Sequence, residues 1–358
     1  MQYVSQINSN YTMDKPSRYQ PINTENPEGC MARHSMLAYR GHRELADVLQ
    51  KAGFERVLVF TARASNAYLG KFPHENGSVS WILSFRGTEN DYKDILYDIT
   101  LFKRTADYDH GYRVHGGFLT ALQNIWGSWG RPHIEKPEDI YERVGPKGIS
   151  EIIGENVNPE DRFFVTGHSL GGAMGQLAAY YIDRDLPVDV TALYTFGAPR
   201  VLDRDMAKKL NQQKPFPEYR FVNASDIVPR VPPYFLGFRH AAKEIYISKN
   251  GKVYRQPGVF RKFKDVWMTQ IGMVVLFAML VFGLLEWSGW IGIRYWNMLI
   301  AAGAGFVVLL AITRLIKMLP YAMLRRLKFR AFADHGIQKY VDLVEGNRKD
   351  AVNAKGEK

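Results

Sequence analysis

The sequence predicts an α/β fold, a mostly parallel sheet flanked by helices and interrupted late in the chain by a two-helix apolar hairpin. Three observations predict it. From position 162 onward, short apolar strand-like runs alternate with helical ones, the pattern of a sheet built from strand–helix–strand units. Inside that alternation, Gly167-His168-Ser169-Leu170-Gly171 falls between a strand and a helix. Finally, the stretches 266–285 and 295–313 carry no charge, and about 20 residues at ~1.5 Å rise span a ~30 Å hydrocarbon layer.

Positions 1–30 are polar, with Pro16, Pro21 and Pro27 and no apolar core of a leader, so no cleavable secretory signal is expected there. Helical spacing runs over 31–52 (Met36, Leu37, Leu45, Val48, Leu49) and stops at Gly53. Positions 56–62 and 79–85 read as strands, and 118–129 as a helix. The Pro/Gly-rich polar segment 131–159 reads as an excursion with one short helix. Strands are then expected at 162–166, 190–196, 219–222 and 243–248, with helices at 170–183 and 203–213. The boundaries that follow are 1–30 for a polar N-terminal segment and 31–260 for the main body. The apolar hairpin takes 266–285 and 295–313, a basic interfacial and C-terminal piece 320–345, and a polar tail 346–358.

Charge is uneven along the 358 residues. The chain holds 47 Lys+Arg and 36 Asp+Glu, a formal net charge of +11, and +8 of it lies in 258–358. The basic residues there (Arg261, Lys262 and Lys264 before the first apolar run; Arg314, Lys317, Arg325, Arg326, Lys328 and Arg330 after the second) flank the runs, whereas the link 286–294 has only Arg294. That asymmetry predicts a hairpin with both ends and the main body on the cytoplasmic side of an inner membrane, with Trp287, Trp290, Tyr295 and Trp296 at the far interface. Ala301 and Gly305, four apart, would let the two helices approach closely. Positions 320–330 would lie along an anionic leaflet. No nucleic-acid motif accompanies these charges, so no nucleic-acid partner is expected. One cysteine, Cys30, excludes a disulfide framework and a Cys-rich zinc site. No metal constellation is visible, and no cofactor is expected.

The pentapeptide around Ser169 is a G-x-S-x-G match at a strand–helix junction, the context in which a serine nucleophile sits on a strained turn. Gly167 and Gly171 suit that turn because a side chain beside it would clash. The helix N-terminus behind Ser169 points backbone N–H groups toward developing negative charge. Such a nucleophile needs a carboxylate and a histidine, in the chain order Ser, acid, His. Two histidines follow, His240 and His335. Asp226, directly after the strand 219–222, is the favoured acid, while Asp203 and Asp205 suit a helix cap. If the base is His335, the apolar hairpin separates acid from base in sequence, and two spans return the chain to the same side.

Five further segments stand in a telling order: Phe85-Arg86-Gly87-Thr88; Val114-His115-Gly116-Gly117-Phe118; Thr195-Phe196-Gly197-Ala198-Pro199-Arg200-Val201; Asp226-Ile227-Val228-Pro229-Arg230-Val231-Pro232; and Asp334-His335 with Tyr340. Together with the serine elbow they resemble the fungal-type, class 3 triacylglycerol lipase family of the α/β-hydrolase fold, over about 36–344 without the hairpin. The resemblance implies Ser169 as nucleophile, Asp226 as acid and His335 as base. It implies an oxyanion hole from the N–H groups of Leu170 and Thr88, a structural His240, and an Arg86 that holds its loop. Two departures stand out. The tryptophan that many members carry after the Thr88 position is absent from 89–95, and the lid region 101–114 is polar. The expected function is a membrane-anchored serine ester hydrolase acting on acylglycerols or phospholipids. An acyltransferase with the same residues, and a membrane-associated toxin or scaffold, are the alternatives. Oligomeric state is not readable.

Overall fold

A computed structural model describes residues 26–88, 105–127, 141–143, 147–255 and 334–345, apart from positions 64, 110, 225, 233 and 249–250. The chain enters through helices α1 (Pro27–Leu37) and α2 (His42–Lys51), then runs through a meander of β1 (Arg56–Ala62), β2 (Ser65–Pro73) and β3 (Val79–Phe85). Strands β4 (Thr105–Asp109) and β5 (Tyr112–His115) pair with each other outside the main sheet. Helix α3 (Gly116–Trp126), strand β6 (Tyr141–Arg143) and helix α4 (Ile149–Asn156) follow. The second half alternates β7 (Arg162–His168), α5 (Leu170–Asp185), β8 (Val190–Phe196), α6 (Arg204–Gln213), β9 (Glu218–Asn223), β10 (Glu244–Ile247) and β11 (Val253–Arg255). A last helix, α7, covers 337–345.

The nine-stranded sheet has the order β11-β10-β9-β8-β7-β3-β2-β1-β6. Pairing is parallel from β3 through β7, β8 and β9 to β10, and between β1 and β6; it is antiparallel in the β1–β2–β3 meander and at β10–β11. This is the mostly parallel sheet expected. Strand alternation distributes side chains to the two faces. On β7, Phe163 and Val165 join the core under α3, α4, α5 and α6, while Phe164 joins the opposite core under α1, α2 and α7. On β8, Leu193 faces the first core and Tyr194 and Phe196 the second. Both faces are covered, which is why the central strands read as unbroken apolar runs.

The structure alters several expected boundaries. The single helix over 31–52 is two helices, because the chain turns at 38–41, where Gly41 takes extended backbone as the N-cap of α2. Helix α1 begins at Pro27, inside the segment 1–30 expected to be a polar N-terminal stretch: the Asn26 side chain accepts from the Gly29 N–H, and Pro27 occupies the first turn where its missing N–H costs nothing. Gly29 and Cys30 are buried there. Strand β2 has no counterpart in the sequence reading; Asn66, Gly70 and Lys71 break its apolar alternation. In the polar lid region, the described part forms the β4–β5 pair. Asp203 caps α6 as anticipated, its Oδ1 accepting from Met206 N–H at 2.7 Å.

The apolar stretches 266–285 and 295–313, the basic segment 320–330, the departure at 89–95 and the tail 346–358 lie outside the described residues. Among the described residues, no helix is long and apolar enough to cross a membrane.

Candidate active site

The carboxyl ends of β3, β7, β8 and β9 meet at one edge of the parallel sheet, the crevice where open α/β sheets bind ligands. Ser169 lies between β7 and α5 with φ 58° and ψ −128°, a conformation that costs about 1–3 kcal/mol for a residue other than glycine. Close packing holds it there. A Cβ on Gly167 would collide with the Gly171 carbonyl, and one on Gly171 with the Phe85 carbonyl. The Ser169 N–H donates to the Phe196 carbonyl at 3.0 Å, tying the turn to the end of β8. The side chain is 1% exposed, and its hydroxyl has no hydrogen-bond partner among the described residues.

Asp226 follows β9 in a tight turn and is fully buried. Its Oδ1 accepts from Val228 N–H at 2.9 Å. Its Oδ2 accepts two bonds, from His335 Nδ1–H at 2.9 Å and from the Tyr340 hydroxyl at 2.6 Å. That hydroxyl in turn accepts from Asn223 N–H at 3.0 Å, and Asn223 Nδ2 donates to the Asp334 carbonyl at 2.8 Å. Each of these three partners donates to the carboxylate, the arrangement of charge-assisted hydrogen bonds. Burial, reinforced by the Asp226 carboxylate, drives the Tyr340 phenol well above its ordinary value, so it remains a donor. His335 comes from 109 residues further along the chain. Gly197, at φ +64°, makes room for the pair: a Cβ there would lie 2.9 Å from Asp226 Oδ2 and 3.0 Å from the His335 ring.

His168, immediately before the serine, reaches the base as well. Its ring lies 4.6 Å from the His335 ring, and its Nε2 is 2.6 Å from the His335 carbonyl oxygen. Its Nδ1 is 2.8 Å from the Tyr39 hydroxyl. Burial, and next the neighbouring His335, hold the His168 imidazole well below its ordinary value of 6.5, so the ring is neutral.

The structure therefore brings Ser169, Asp226 and His335 to one locus. Ser169 Oγ and His335 Nε2 are not hydrogen-bonded to each other. Leu170 opens α5, where backbone N–H groups lack helical partners. The loop carrying Thr88 presses on the same place: a Cβ on Gly87 would lie 2.7 Å from the His168 carbonyl and 3.2 Å from Ser169 Cβ. Arg86 anchors that loop, its N–H donating to the Asn66 carbonyl at 2.9 Å; with the Asn66 amide turned so that its oxygen faces the guanidinium, Arg86 Nη2 donates to it at 2.7 Å. His240 stands apart, its Nε2 bonding the Pro229 carbonyl at 2.7 Å, which is a structural role. Among the described residues, no group of His, Cys, Asp and Glu could hold a metal ion. A cavity of about 720 Å³ opens at the starts of β9 and β10, lined by Tyr180, Phe216, Glu218 and Ile245, and Ser169, Asp226 and His335 are not part of its lining. Tyr39, His168 and Asn223 gave no functional signal in the sequence beyond His168's place in the pentapeptide.

Fold and site together set a serine, a histidine and an aspartate at the carboxyl edge of a mostly parallel α/β sheet. Residues 82–236 match the family described as Lipase (class 3), and this part of the chain carries that family's pattern. The chain is 33% identical over 175 residues to secreted mono- and diacylglycerol lipase 1 of Fusarium solani, covering 49% of its own length and 46% of the relative. It is 32% identical over 170 residues to a lipase of Rhizomucor miehei, covering 46% of its own length and 41% of the relative. Against the solved Rhizomucor miehei lipase propeptide complex the TM-score is 0.46 at 24% identity, over 64% of this chain and 70% of that one. The chain spans about half the length of the curated relatives it matches.

These comparisons correct the expected location. A cytoplasm-facing place on an inner membrane rested on charges and apolar runs that no described element carries. Relatives from Fusarium solani and Malassezia restricta are named as secreted lipases, and among the described residues no helix is long and apolar enough to cross a membrane. That placement is withdrawn.

Proposed function

We propose that the protein is a carboxylic ester hydrolase of the class 3 lipase kind, acting on acylglycerols through an acyl-enzyme. The observation that carries this reading is the buried Asp226–His335 bond, assembled beside a serine elbow from residues distant in sequence. Ser169 Oγ attacks the ester carbonyl while His335 Nε2 takes its proton. Asp226 holds Nδ1–H, fixing the tautomer and balancing the imidazolium that forms. The tetrahedral oxyanion is met by the N–H groups of Leu170 and Thr88, each worth about 3–4 kcal/mol of transition-state stabilisation. His335 then returns the proton to the departing alcohol. Water, deprotonated by the same histidine, releases the fatty acid and regenerates Ser169. Relatives named as mono- and diacylglycerol lipases point to that substrate class.

The test is fatty-acid release from mono-, di- and triacylglycerol and phospholipid emulsions by the full chain and by S169A, H335A and H240A. S169A and H335A are each expected to lose at least about 10³-fold in kcat, with H240A retaining more activity than H335A. Hydrolysis by S169A at the wild-type rate would sink the mechanism, and the reverse order of the two histidines would move the base.

A further inference from the structure

The base histidine reaches the site from a part of the chain that no neighbouring strand holds in register. His335 sits in a turn ahead of α7, and its backbone must be fixed by something else. Asn223 takes the Asp334 carbonyl at 2.8 Å, and His168 takes the next one, that of His335, at 2.6 Å. A carbonyl only accepts, so His168 Nε2 carries the proton. In the neutral ring, Nδ1 is then an acceptor, and the Tyr39 hydroxyl at 2.8 Å is its donor. The relay thus has one direction: Tyr39 O–H to His168 Nδ1, then His168 Nε2–H to the His335 carbonyl. Tyr39 lies in the turn after α1 and wedges against Gly87, where an added Cβ would meet its hydroxyl. One relay therefore touches the oxyanion loop, the serine elbow and the base turn.

We infer that His168 is a positioning residue for the general base, holding the His335 main chain through its neutral Nε2–H tautomer, which the Tyr39 hydroxyl selects. This inference rests on the serine-hydrolase reading above. Its chemical logic is charge economy. The His335 ring becomes an imidazolium during acyl transfer, and a second cation with its centroid 4.6 Å away would oppose that step. A neutral histidine gives a strong directional donor without that repulsion. The titratable groups facing His168 are Tyr39 from the α1 turn, His335 from the base turn and Tyr340 from α7, whose ring centroid is 6.0 Å away; Asp226 acts on it through His335.

The experiment compares wild type, H168L, H168Q and Y39F in the full chain. H168L removes the donor, while H168Q restores an N–H at similar reach. H168L is expected to lower kcat about 100-fold with KM nearly unchanged, because a displacement near 1 Å at the base costs that much. H168Q is expected to recover most of the loss. Labelling of Ser169 by a fluorophosphonate probe should slow in parallel in H168L and be absent in S169A. ¹⁵N-histidine spectra should show His168 as the neutral Nε2–H form well below its ordinary value of 6.5, with tautomer mixing in Y39F. Wild-type kcat in H168L, or a His168 that protonates near its ordinary value, would overturn the inference while the serine mechanism stood. If wild type itself is neither labelled nor active on any ester, it is the functional reading that fails. Should H168L prove unfolded, the His168 tautomer in wild type and Y39F decides, with the kcat of H168Q beside it.

Discussion

His168 binds fewer protons in the folded protein than in the unfolded chain, because burial and the adjacent His335 depress its proton affinity. Where the unfolded state holds more protons, stability rises with pH. The contribution of this residue is therefore fully present above its ordinary value of 6.5 and is lost as pH falls below it. The slope is up to about 1.4 kcal/mol per pH unit for one proton. Urea unfolding between about pH 4.5 and 7 should show a shallower acid loss for H168Q than for wild type, since glutamine has no proton to gain. Identical slopes would mean that His168 titrates freely in the fold. The same residue shows how far sequence reaches at this scale. The pentapeptide marks His168 as part of an elbow, yet nothing in it names Tyr39 as a partner, because the pair is 129 positions apart.

An element ends where its last residue can adopt the conformation the next one needs. Strand β8 ends at Phe196, and Gly197 follows at φ +64°, with its missing Cβ facing the Asp226–His335 pair. Alanine there meets two costs. The left-handed backbone costs about 1–2 kcal/mol for a residue with a Cβ, and the new methyl stands 2.9–3.0 Å from the acid and base. The strain alone is tolerable in a folded domain, whereas displacement of the pair is not tolerable for catalysis. Gly197→Ala is expected to retain a cooperative thermal transition and to lose about 100-fold in kcat; unimpaired fatty-acid release would show that the pair shifts without consequence. Element type was legible wherever one face or both are buried in regular order, as in β7, β8 and α5. Strand β2 was not, since Asn66, Gly70 and Lys71 owe their place to cross-strand partners on β1 and β3. The long helix over 31–52 was likewise a correct periodicity read across a turn.

Across the whole molecule, the C-terminal piece must be held against a sheet whose strands lie far back in the chain. Two kinds of contact do this. Arg33 on α1 pairs with Glu345 on α7, with Nη2 at 2.7 Å from Oε2, at a partly exposed position where such pairs contribute about 0–1 kcal/mol. Tyr340 is fully buried, donates to Asp226 and accepts from the Asn223 N–H. Leaving a buried backbone N–H unpaired costs about 1–3 kcal/mol, so the tyrosine outweighs the ion pair. Tyr340→Phe is expected to lose about 1–3 kcal/mol in urea unfolding, with fatty-acid release reduced less than by H335A. No change in stability would mean that α7 is held by its apolar face alone, through Val341 and Val344.

The sequence by itself determined the α/β alternation, the serine elbow and the ordered set of acid and base candidates, because each depends on local periodicity or on residue types a few positions apart. It also drew a membrane placement from charge and hydropathy, which describe composition and not position, and the secreted relatives overturned that placement. Only the tertiary structure shows which of His240 and His335 meets the Asp226 carboxylate. Both are histidines downstream of the acid, and the difference is that one bonds the Pro229 carbonyl while the other meets Asp226 inside the fold. Only the fold, too, could show the relay from Tyr39 through His168, because hydrogen bonds between distant segments are set by how the sheet brings strand ends together.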